Sequence, residues 1–80
     1  MKFTIDTKFN IGDTVYAADH YYDYYASHVP YVISDIIVNV SNRSIRTMYL
    51  VEYGEHADRF PEDWCFATYE ECERWCKEHN

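Results

Sequence analysis

The chain has 80 residues, with seven basic and fourteen acidic side chains for a formal charge of −7, and only two glycines and two prolines. With 48% apolar residues it is too hydrophobic to be disordered, its charge has the wrong sign for a protein that neutralises phosphates, and no apolar run is long enough to span a membrane. Eighty residues make one domain, 1–80, whose core alone leaves little stability in hand, so a staple would help it.

The start of the chain, MKFTIDTKFN, lacks the hydrophobic segment of a signal peptide, and three cysteines are an odd number. Both point to the cytoplasm and to free thiols rather than a disulfide framework.

In chain order, residues 3–9 alternate as Phe3, Ile5, Thr7 and Phe9 and predict an edge strand with charged residues outward. Gly12-Asp13 marks a turn, and residues 14–17 enter a strand built from Thr14, Val15, Tyr16 and Ala17. Residues 18–30 form a long connecting segment carrying Tyr21, Tyr22, Tyr24 and Tyr25 together with Asp19, Asp23, His20 and His28. Tyr31–Val40 reads as a long strand with Val32, Ile36, Val38 and Val40 on one face and Ile33 and Ile37 on the other. Apolar residues on both faces imply a strand that bends around a barrel or is covered by the helix.

Ser41, Asn42, Arg43 and Ser44 supply turn chemistry, so a hairpin follows. Ile45–Tyr53 then alternates, Thr47, Tyr49, Val51 and Tyr53 against Arg46, Met48, Leu50 and Glu52, and Gly54 ends it. Residues 54–59 read as a polar loop. Pro61 breaks regular structure, and Trp64, Cys65 and Phe66 predict a short closing strand. Thr68 and Glu71 have capping-box spacing, so a helix starts here. Glu70, Glu71 and Glu73 suit the positive end of its dipole, and Lys77 and His79 the other end. Tyr69, Cys72, Trp75 and Cys76 make one apolar stripe that must face a sheet.

The pattern F-x-I-G-D-x-V-Y from Phe9 to Tyr16, followed by two long strands and a closing F-x-T-x-E-E-C segment from Phe66 to Cys72, resembles small SH3-like barrel proteins of bacterial phages and mobile elements. The resemblance runs from Phe9 to Cys76 and implies an α+β, mainly β fold: a small, bent antiparallel sheet of four or five strands with one C-terminal helix. It carries no catalytic residue. In size and acidity the chain is similar to anti-CRISPR proteins that block type II effector nucleases, which implies a phage-type inhibitor acting on a basic host protein. The long segment 18–30 departs from a minimal barrel.

The cysteines have two readings. Cys72 and Cys76, four apart, share a helix face, Cys65 arrives from the closing strand, and thiolates with a histidine could make a structural zinc site. His79 lies about 10 Å along the helix axis from Cys72, which leaves His56 the better fourth ligand, with His20 and His28 as alternatives if the tyrosine segment folds over the helix. Alternatively, all three are core thiols, since cysteine is among the most buried residue types. The tyrosines likewise read either as a protein-binding loop formed by Tyr21, Tyr22, Asp23, Tyr24 and Tyr25 or as rings folded over a small core.

Glu70 and Glu73 extend the loop into an acidic partner surface, against the simpler reading of a solvated helix face. No glycine-rich phosphate loop, HExxH or nucleophile elbow is present, so no enzyme is expected. A weaker alternative is an SH3-like accessory domain that contacts nucleic acid through Arg43, Arg46 and Arg59.

Overall fold

A computed structural model describes residues 5–80. Its elements are strands β1 (Thr14–His20), β2 (Tyr24–Ala26), β3 (Tyr31–Val40), β4 (Ile45–Tyr53) and β5 (His56–Pro61), a 3-10 turn (Glu62–Trp64), strand β6 (Cys65–Phe66) and helix α1 (Tyr69–His79). The six strands pair antiparallel in the order β2-β1-β3-β4-β5, and β6 returns to pair with β1. Among the described residues the protein is therefore mainly antiparallel sheet with one C-terminal helix, and the sheet has one strand more than the upper expected number.

β1 organises the molecule because both of its faces are covered. Val15 and Ala17 point to one side, into a core with Ile33, Tyr49, Val51, Phe60 and Cys65. Ala18 points to the other side, against Ala26, Cys72 and Cys76. The expected helix stripe makes this second core: Cys72 and Cys76 are buried, and Tyr69 and Trp75 flank them. Thr68 caps the helix as its spacing predicts, accepting from the Glu71 amide at 3.2 Å. The Ser41 hydroxyl closes the β3–β4 turn by accepting from the amides of Arg43 and Ser44 at 3.2 and 3.1 Å.

Four expectations are corrected. β3 divides its apolar residues between its two faces differently from the expected pattern: the register jumps between Ile33 and Asp35, so Ser34 is an extra residue. This bulge brings Ile33, Ile36 and Val38 to the same face, opposite Val51, Tyr49 and Thr47. Residues 56–61 are an edge strand rather than loop, paired from Tyr53↔His56 to Met48↔Pro61. Its polar character reflects an exposed strand, in which His56, Ala57, Asp58 and Arg59 all face solvent and only Phe60 is buried. Trp64 belongs to the 3-10 turn, leaving Cys65 and Phe66 as the closing strand. Residues 18–30 contain the β1–β2 hairpin.

The expected first strand, residues 3–9, falls partly on residues outside those described. Residues 5–10 are not in a strand, yet they are tied down. The Phe9 amide donates to the Tyr49 hydroxyl at 3.2 Å and the Lys8 amide to the Glu62 carboxylate at 3.1 Å, and Tyr49 itself donates to Glu62. A buried tyrosine thereby joins the start of the chain to the 3-10 turn.

Candidate functional site

The tyrosine segment is a hairpin with Ala18↔Ala26, Asp19↔Tyr25 and His20↔Tyr24 in register and Tyr21, Tyr22 and Asp23 at its tip. The Tyr21 amide donates to the Asp23 carbonyl at 3.2 Å, closing the tip. Strand alternation then gives the four tyrosines different roles. Tyr24 lies on the face of Ala26 and turns toward the helix, where its ring meets Trp64 and Trp75 edge-on at 5.4 and 5.1 Å. Tyr25 points the other way and is half exposed beside Asp19; desolvation, then the Asp19 charge, raises its hydroxyl pKa. Tyr21 and Tyr22 are 76% and 84% exposed and lie edge-to-face on each other at 4.6 Å.

The hairpin is clamped by a residue that sequence reasoning did not single out. The Asn80 side chain accepts from the Tyr24 amide at 2.7 Å and donates to the Tyr24 carbonyl at 3.0 Å, serving as a one-residue strand partner. Beside it, His79 stacks on Trp75 at 3.9 Å and its ring nitrogen lies 2.8 Å from the Trp75 carbonyl. No local motif announces such a clamp, because its two halves lie 56 residues apart.

Glu73 shares a groove with Tyr24 and Tyr25, so part of the expected acidic surface adjoins the hairpin. Glu70 lies on the next stretch of helix, in a patch that also contains Arg74 and Lys77 and is therefore of mixed charge. Lys77 pairs with Glu73 at 2.9 Å and, with the Tyr69 hydroxyl second, holds the Glu73 carboxyl below its ordinary range. Asp23 is exposed at the hairpin tip.

The sheet separates the predicted metal ligands. Cys65 sits opposite Ala17 in the first core, with its Sγ 3.6 Å from the Pro61 carbonyl, whereas Cys72 and Cys76 lie across β1 in the second. His56 is exposed at the far end of β5 from Pro61, about 16 Å along the strand. Among the described residues no group of three or more His, Cys, Asp or Glu is placed to hold a metal ion. Of the four predicted ligands, only Cys72 and Cys76 share one buried cluster. All three thiols are buried. Burial, as the leading cause, pushes Cys65 and Cys72 up to about 12 and also raises Cys76, which keeps them protonated at neutral pH.

No helix among the described residues is long and apolar enough to cross a membrane. No family model, no curated protein and no solved structure matches the chain.

Proposed function

We propose that this chain is a non-enzymatic protein-binding inhibitor that uses the tyrosine hairpin and the adjoining helix face to engage a basic host protein in the cytoplasm. The carrying observation is the exposed Tyr21–Tyr22 pair, presented on a hairpin that the helix end holds just below its tip. Large aromatic rings that are free to be buried, on a backbone that is already ordered, lose little entropy on binding and form typical energetic centres of interfaces. Asp19 and Asp23 beside them, with a chain charge of −7, favour a positively charged partner.

The most concrete partner in this reading is a type II CRISPR effector nuclease, blocked at the surface that loads nucleic acid. An SH3-like fold is part of the same proposal. It is supported by the meander β1-β3-β4-β5, the 3-10 turn that follows it and the return of β6 to β1.

The test is titration of a guide-free effector nuclease with the protein. A stoichiometric complex and lost guide or target-DNA loading are expected, and unchanged nuclease activity at saturating protein would sink the nuclease assignment. The Tyr21→Ala/Tyr22→Ala double variant should bind at least about tenfold more weakly with an unchanged melting temperature, because both rings are exposed. Equal binding by that variant would remove the hairpin from the reading. The alternative reading is a small structural-zinc regulatory protein that acts on another host or phage partner. About one zinc per chain with a chelator-sensitive melt would establish it.

A further inference from the structure

The outer half of β3 is an open sheet edge. β1 pairs with β3 only at Thr14↔Val32 and Val15↔Tyr31, followed by the bonds of Ile33 with Gly12 and Asp13. Beyond Ile33, among the described residues, β3 has β4 on one side and no strand on the other.

The direction of its backbone groups follows from both ends of the strand. At the turn, the Ser41 amide donates to the Ser44 carbonyl at 2.9 Å. Antiparallel alternation then directs Val40, Val38 and Ile36 away from β4. At the other end, the Ile33 amide and carbonyl bond to Asp13 and Gly12, and the Ser34 bulge restores the same phase. The open edge therefore offers the N–H and C=O groups of Ile36, Val38 and Val40.

Beyond the Ser34 bulge and Asp35, this edge lacks the usual protection. Residues 36–40, Ile-Ile-Val-Asn-Val, contain no charge, proline or glycine, and three of them are β-branched at the outward backbone positions. Ile37 and Val40 are 40% and 49% exposed, with Ile45 across the hairpin at 48%. The segment is also self-complementary. With Val38 on a two-fold axis, Ile36 of one copy faces Val40 of the other, and every outward N–H meets an outward C=O.

We infer that this edge is where two copies of the chain associate, β3 against β3 antiparallel, about a two-fold axis through Val38. Charge supports this occupant. Antiparallel pairing in that register brings the Arg43 turn of each copy against the Asp13 and Asp35 end of the other, and all three side chains are exposed. An anionic chain thus meets itself where its own positive turn can reach its own carboxylates. The surface is distinct from the tyrosine hairpin, and the two can be disabled separately.

The test is sedimentation equilibrium of the full chain over a concentration series, with circular dichroism of every variant. The wild type should move from monomer to dimer mass. Val38→Pro should be monomeric over the same range and still folded, because the Val38 amide is not used in the β3–β4 ladder. Val38→Lys, which places two ammonium groups on the axis, should do the same and covers the case in which the proline variant does not fold. Arg43→Glu should weaken the dimer, and adding Asp35→Arg should restore it. A wild type that remains monomeric, or a dimer that survives in folded Val38→Lys, would overturn the inference.

Discussion

The two cores on either side of β1 are built differently. The first is filled by volume: Val15, Ile33, Val51, Phe60 and the ring of Tyr49 occupy it, and Tyr49 adds a polar tie at its edge. The second is limited by distance: Ala18 and Ala26 on the hairpin meet Cys72 and Cys76 on the helix, so backbone approaches backbone and the large rings of Tyr24, Trp64, Phe66 and Trp75 pack around the contact. A core of large side chains fails when atoms are removed. One of small side chains fails when atoms are added.

The largest expected effect breaks the first core. Ile33→Ala removes a side chain that is 1% exposed and should cost about 2–5 kcal/mol in urea unfolding. A cost below about 1 kcal/mol would show that this core collapses around the gap. Next comes enlargement of the second. Ala18→Leu should cost about 1–3 kcal/mol and push the helix off the hairpin, with a change in tryptophan fluorescence from Trp64 and Trp75. Stabilisation by Ala18→Leu would contradict the close approach.

Tyr49→Phe sharpens the comparison by keeping the ring and deleting the hydroxyl that joins Phe9 and Glu62. It should cost about 1–3 kcal/mol, read by the same unfolding curves. The smallest effect at neutral pH is titration of the buried acids, which is absent there and emerges in alkali. Cys65 and Cys72 rise from an ordinary 9.0 to about 12 and Tyr49 from 10.0 to about 12, all led by burial. Since the folded state holds these protons more tightly, stability is fully present below pH 9 and is lost as pH climbs toward 12. Melting temperature should fall over that window, and native protein at pH 8 should resist thiol alkylation at Cys65 and Cys72. Fast labelling of both would place these thiols near solvent.

The partners of Glu73 and Asn80 show why the surface was harder to read than the elements. The helix start at Thr68, the turn at Ser41 and the alternation of β4 each depend on residues within four positions of one another, and all three are present as expected. His56 had the right chemistry for a ligand but belongs to a strand whose direction carries it away from Cys65. Ring content alone did not distinguish exposed Tyr21 and Tyr22 from Tyr24, which is anchored 56 residues away by Asn80.

The sequence by itself determined the class of fold, the capped helix with its thiol stripe, the β3–β4 hairpin and the burial-prone nature of the cysteines. Those properties follow from periodicity and capping, which are local. The tertiary structure alone decided which faces those residues share. One inserted residue at Ser34 put Ile33 and Ile36 on the same side, and the pairing of β6 with β1 placed Cys65 on the opposite side of the sheet from Cys72 and Cys76. Strand register and sheet order are set by contacts between distant segments, and a single-residue shift in register exchanges every face.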